Sequence, residues 1–129
     1  MPHPFTVQSE LVGDIARVTA TGDLDAGPAS TLQAEATAHV DNGTTLIIDL
    51  SGLTFFTSSG INALLAIHRH ARANGVDVAV VAAQRIVLRP LTVTGATGVL
   101  AVHPTVSDAL AALRPDFLHR VDPGTGSSA

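Results

Sequence analysis

Residues 49–65, Asp-Leu-Ser-Gly-Leu-Thr-Phe-Phe-Thr-Ser-Ser-Gly-Ile-Asn-Ala-Leu-Leu, constrain the fold more than any other stretch. The run from Thr45 to Leu50 is apolar apart from Thr45 itself and Asp49, as expected of a central strand covered on both faces. A short apolar loop is expected next. Thr57, Ser58 and Ser59 then open a helix predicted from about Ser58 to Asn74, with Gly75 as its left-handed cap. Ile61, Leu64, Leu65 and His68 mark its buried face, widened by Ala63, Ile67 and Ala71. The first turn of a helix carries unpaired N–H groups and the positive end of the dipole, so it accommodates an anion. A serine displayed there is within reach of a kinase, and the layout is that of a phosphorylation switch.

The rest of the chain repeats the alternation. Phe5 to Leu11 and Ile15 to Thr21 read as strands, with Gly13-Asp14 as their hairpin turn. Gly22-Asp23-Leu24-Asp25-Ala26-Gly27 reads as a loop, and Pro28 suits the first position of a helix. Ala29, Leu32, Ala36 and Val40 recur at helical spacing up to the stop at Asn42-Gly43. Val76 to Ala82 is predicted as another central strand, and Gln84 to Thr94 as a short helix bent or shortened by Pro90. Val99 to His103 reads as a last strand. Thr105 and Asp108 resemble a capping box before a final helix that ends at Pro115. The pattern predicts an α/β fold: one domain over residues 1–118, with a mixed, mostly parallel sheet of about five strands and about four helices. Residues 119–129 are expected to form a disordered tail.

Composition narrows the function. A net charge of −4, with seven scattered arginines and no lysine, gives nucleic acid no electrostatic handle. With no cysteine there is no disulfide, zinc–thiolate site or thiol nucleophile. The start, Met-Pro-His-Pro-Phe, does not read as a signal peptide, and no apolar stretch suffices for a bilayer. A cytoplasmic protein, monomeric or weakly dimeric, is expected.

Enzymatic patterns fail one by one. The G-x-S-x-G elbow needs a glycine where Phe56 or Thr57 stands, and a P-loop needs a lysine. Gly95-Ala96-Thr97-Gly98 reads as a turn. His68 and His70 point to opposite sides of their helix, and His39, His103 and His119 show no acidic or histidine partner at ligand spacing. No catalytic residue, metal or cofactor is assigned. Asp23 and Asp25 admit two readings: loop solvation beside a helix start, or part of a site sharing one sheet edge with Ser58. The hydroxyl cluster also has a plain reading as a helix cap, worth about 1 kcal/mol. Phe55 and Phe56, half of the chain's four aromatics, flank it and suggest a partner surface.

Taken in order, these residues resemble the STAS-domain family of anti-sigma-factor antagonists. The family's Asp-Leu-Ser, apolar pair and Asp-Ser-Ser/Thr-Gly correspond to Asp49-Leu50-Ser51, Phe55-Phe56 and Thr57-Ser58-Ser59-Gly60. Its Gly-Glu/Asp-Leu-Asp element corresponds to Gly22-Asp23-Leu24-Asp25, and the similarity runs from about Phe5 to Leu118. The resemblance implies a non-enzymatic partner switch. Such a protein binds an anti-sigma factor that is also a serine kinase, and so releases a sigma factor. It is phosphorylated at the position of Ser58 and restored by a phosphatase. It further implies that Asp25 lies near that serine and contributes to the partner surface, which is expected to comprise Asp23, Asp25, Phe55, Phe56, Thr57, Ser58, Ser59, Gly60 and Asn62. The chain departs from the pattern at Thr57, where the family has aspartate, which leaves Thr57 and Ser59 as secondary acceptors. A STAS subunit docked on the ATPase of a lipid-transport ABC system is the alternative that Thr57 also fits. A nucleotide or small-molecule sensor ranks behind both.

Overall fold

The fold is known from a computed structural model that describes residues 3–114. The expected tail, Pro115 and His119 lie outside the described residues. The elements are β1 (Thr6–Val12), β2 (Ile15–Leu24), α1 (Ala26–Asp41), β3 (Leu46–Phe56), α2 (Ser58–Ala73), β4 (Val78–Val81), α3 (Arg85–Val93), β5 (Val102–His103) and α4 (Val106–Leu113). A single 3-10 turn, Ala96–Gly98, follows α3 where the Gly-Ala-Thr-Gly turn was expected. The sheet runs β1-β2-β3-β4-β5, antiparallel at the β1–β2 hairpin and parallel at every other pairing. This is the mixed, mostly parallel α/β architecture that the sequence predicts.

Strand alternation divides the core. Ala16, Val18 and Ala20 of β2, Leu46, Ile48 and Leu50 of β3, and Val80 of β4 face α1, α2 and α3. There they meet Leu32, Val40, Leu64, Ile67, Val87 and Leu91, all nearly inaccessible to solvent. Burying each such side chain contributes roughly 1.5–3 kcal/mol. Ile15, Ile47, Ala79 and Val81 face the other way and are covered by Ala109, Val106, Leu110 and Leu113 of α4.

Two predicted loops turn out to be strand. Gly22–Leu24 continues β2, and Ser51–Phe56 continues β3, pairing to Leu24↔Phe56. The pairing steps from Thr19↔Asp49 to Thr21↔Gly52, and from Gly22↔Leu53 to Asp23↔Phe55. Each step gives β3 one residue more than β2, as in a β-bulge. Each extra residue shifts the alternation by one, so Leu50, Leu53 and Phe56, spaced by three, all join the same core face. Gln84 supports the irregularity by donating from Nε2 to the carbonyls of Leu50 (2.7 Å) and Leu53 (3.3 Å).

Other differences are smaller. Pro28 is the third residue of α1 rather than the first, because the extended backbone of Asp25 already forms the cap. Its missing N–H still falls among the first-turn donors that have no helical acceptor. The strands read as Val76–Ala82 and Val99–His103 are shorter in the fold. Thr105 caps α4, accepting from the Asp108 N–H at 3.0 Å.

Asp49 is the one buried charged residue among those described. Arg17 donates to its Oδ2 from Nη2 at 2.7 Å and Nε at 3.2 Å, while the Ser51 N–H and hydroxyl donate to Oδ1. Burial opposes ionisation more than any single contact favours it. The Ser51 hydroxyl, Arg17 and the Ser51 N–H together outweigh it, and the carboxyl sits below its ordinary value. A depressed carboxyl stabilises the fold above its unfolded pKa of about 3.9, and that contribution fades as pH falls through the folded value. Asp49→Asn is therefore expected to cost about 2 kcal/mol at pH 7. In urea titrations its gap from the native chain should narrow below about pH 4; a gap unchanged down to pH 3 would contradict this.

Candidate functional site

The site is the carboxyl edge of β2 and β3, where both strands pass into helices with almost no intervening chain. Leu24 pairs with Phe56, so Asp25 and Thr57 follow side by side as the caps of α1 and α2. The Thr57 N–H and hydroxyl both donate to the Leu24 carbonyl, at 3.3 and 3.1 Å. Thr57 therefore fastens one helix start to the neighbouring strand end and does not cap α2 with its side chain. The plain capping reading of this hydroxyl is replaced by a cross-strand tie.

Ser58 is the first residue of α2 and is exposed; among the described residues its hydroxyl has no hydrogen-bond partner. The Thr57 carbonyl takes the N–H groups of Gly60 (2.9 Å) and Ile61 (3.2 Å), and those of Ser58 and Ser59 have no acceptor among the described residues. No acidic residue stands in the first turn of α1 or α2. An anion on Ser58 would meet free donors and the positive helix end, worth about 0.3–1 kcal/mol.

The other expected site residues divide by depth. Phe55 is 53% exposed, whereas Phe56 is buried and packs against Gly60. A Cβ on Gly60 would stand 2.7 Å from the Phe56 ring and 3.1 Å from Leu24, so glycine is required there for close packing. Phe56 and Gly60 thus shape the site from beneath, and of the two aromatics only Phe55 faces solvent. Ser59 and Asn62 line a groove between α1 and α2 with Ala29, Ser30 and Gln33. Asp25 is exposed and caps α1 through its carbonyl, which accepts from Ala29 N–H at 2.8 Å.

Asp23 is tied down more than the sequence suggests. Its carboxylate accepts from the Thr54 hydroxyl at 2.8 Å and from the His3 N–H at 3.1 Å, and the Asp23 N–H donates to the His3 carbonyl. The Thr54 hydroxyl, then the His3 N–H, hold its carboxyl below the ordinary range. Neither partner is legible from spacing, since Thr54 reaches Asp23 only through the bulged β2–β3 pairing. His39, expected to lack an acidic partner, has Glu35 one turn away at 3.6 Å, and His70 pairs with Asp41 at 2.6 Å. Both pairs lie away from the Ser58 edge, in the later part of α1 and α2.

A model of the STAS domain matches residues 6–109. The chain belongs to the STAS-domain family. It is 34% identical over 98 residues to a Mycobacterium tuberculosis protein named anti-sigma-F factor antagonist RsfA, covering 74% of this chain and 77% of that one. To anti-sigma-F factor antagonist RsfB of the same organism it is 31% identical over 121 residues, covering 92% and 98%. The crystal structure of an anti-sigma factor antagonist from Mycobacterium paratuberculosis superposes with a TM-score of 0.82 at 30% identity, covering 88% of this chain and 97% of that one. No helix among the described residues is long and apolar enough to cross a membrane.

In this STAS domain the Asp23 clamp is open to direct measurement. Thr54→Val removes the hydroxyl that favours the ionised carboxylate, so the Asp23 titration midpoint should rise when followed by carboxyl-carbon NMR. An unchanged midpoint would show that Thr54 does not hold it.

Proposed function

We propose that this STAS domain is an anti-sigma factor antagonist, acting in the cytoplasm by binding an anti-sigma factor through the β2–β3 carboxyl edge. We further propose that the partner is a serine kinase, that it phosphorylates Ser58, and that the phosphate ends the association until a phosphatase removes it. In this reading the protein works by binding and performs no chemistry of its own. The names of relatives that align over most of their length support the first part. The second part rests on one observation: of the three neighbouring hydroxyls, Ser58 alone is exposed and unengaged. Thr57 is bound to the Leu24 carbonyl, and Ser59 is partly buried at the α1–α2 groove.

The switch follows from where the charge lands. Phosphate adds about −1.5 to −2 units of charge. Within the free protein that charge meets the open end of α2, so folding is little disturbed. At a docked interface the same group must lose its water and displace close contacts around Phe55 and Ser58. An unfavourable charge placed there costs several kcal/mol. Binding is lost while the fold persists. Thr57 in place of an aspartate removes a negative charge from the acceptor's neighbour and substitutes a structural tie.

With the cognate anti-sigma factor and ATP, the protein is expected to gain one phosphate, mapped to Ser58 by mass spectrometry. Ser58→Ala should bind like the native chain and take up none. Ser58→Glu should bind about a hundredfold more weakly. Phosphate at Thr57 or Ser59 instead, or undiminished binding by Ser58→Glu, would overturn the switch.

A further inference from the structure

The parallel order β2-β3-β4 sends three strands into helices toward the same edge of the sheet, the third leaving its pairing at Asp49↔Val81, set back from Leu24↔Phe56. The first junction carries the exposed carboxylate of Asp25. The second carries Phe55 and Ser58 and is uncharged. The third opens α3 with Arg85 and Ile86, both exposed, and Arg89 follows one turn on. Charge along the edge therefore runs from negative through neutral to positive. The asymmetry extends to the sequence. The thirty residues from Val78 to Ser107 contain Arg85 and Arg89 and no acid, so a net charge of −4 divides into +2 here and −6 elsewhere.

Exposed arginines on a helix are ordinarily there for solvation, but their place at the start of α3 and the apolar surface beside them set these two apart. Arg85 is the first residue of α3, where the dipole disfavours a cation, and no acid in the first turn offsets it. Neither arginine has an ion-pair partner among the described residues, a condition that Arg69 and Arg72 of α2 share. The same helix leaves Ile86 44% and Val93 76% exposed, and Arg85, Arg89 and Val93 line a shallow groove with Leu88 and Thr92. Positive charge beside unpartnered apolar surface has no role in this fold that its contacts reveal.

We infer that the docking surface extends from Ser58 onto α3, and that it fits a protein face with the opposite order of charge. That face is basic where it meets Asp25, apolar over Phe55 and Ile86, and acidic where it meets Arg85 and Arg89. This rests on the reading of the Ser58 edge as the anti-sigma factor's docking site. Such an arrangement fixes the partner's orientation and speeds encounter more than it adds raw affinity. An anionic membrane is the weaker fit. Two arginines supply only about 1 kcal/mol each at a lipid surface, α3 is nine residues long, and the remaining −6 opposes approach.

The test compares two variants with the same change of net charge, using the purified cognate anti-sigma factor and surface plasmon resonance at low and high salt. Arg89→Glu should weaken binding at least tenfold, mainly through slower association, and the deficit should shrink at high salt. Arg72→Glu, near the opposite end of α2, should stay within twofold of native. Circular dichroism checks that both variants fold. Equal effects of the two substitutions, or none from either, would overturn the inference, and if Ser58→Glu still abolished binding the proposed function would stand. Failure of the native chain to bind the anti-sigma factor at all would remove both. Sedimentation with phosphatidylglycerol vesicles that is lost in Arg85→Glu/Arg89→Glu, with partner affinity unchanged, would assign the patch to lipid and overturn the inference too.

Discussion

The parallel pairing of β2 with β3, carried through two bulges to Leu24↔Phe56, is the constraint on which the rest of this structure depends. Without the first extra residue in β3, normal alternation would carry Leu53 off the face that holds Leu50, and the second returns Phe56 to that face. With them, Leu50, Leu53 and Phe56 seal the upper core beneath α2, and Gly60 lets the helix settle against the Phe56 ring. The same pairing leaves a single residue between each strand and its helix. Ser58 is therefore held by a strand end and a helix start rather than by a loop.

That rigidity suits the switch proposed for a chain with little else resembling a chemical site. Preorganised edges lose less conformational entropy on association than loops do. A modification there changes the charge of a defined surface and leaves the core beneath it intact. Asp49 and Arg17 serve a different end, tying β2 to β3 on the sheet face that α4 leaves partly open. The groups that hold the fold and the group proposed to switch binding are thus separate, so one can change without the other.

Much of this was legible in the sequence. The helix faces of Ala29–Val40 and Ile61–Ala71, the caps at Gly43 and Gly75, the strand-to-helix alternation and the display of Ser58 all follow from local periodicity and turn chemistry. The bulged ends of β2 and β3 were not legible, because Leu50, Leu53 and Phe56 recur at three, a spacing foreign to a regular strand. The segment after Leu50 and the stretch Gly22–Gly27 read as loops for want of a regular alternation. The Thr54–Asp23 and Thr57–Leu24 contacts inherit that difficulty, since each joins residues more than thirty apart through the irregular pairing. Phe55 and Phe56 were indistinguishable by type. Only the register decides which one faces solvent.

Native-state hydrogen exchange followed by NMR tests the central claim most directly, because it asks whether residues 51–57 are strand or loop. The Thr57 amide, bound to the Leu24 carbonyl, should be protected to nearly the same free energy as the centre of β3. The Ser58 and Ser59 amides beside it should exchange almost unprotected. Fast exchange throughout residues 51–57, as for a mobile loop, would contradict the account.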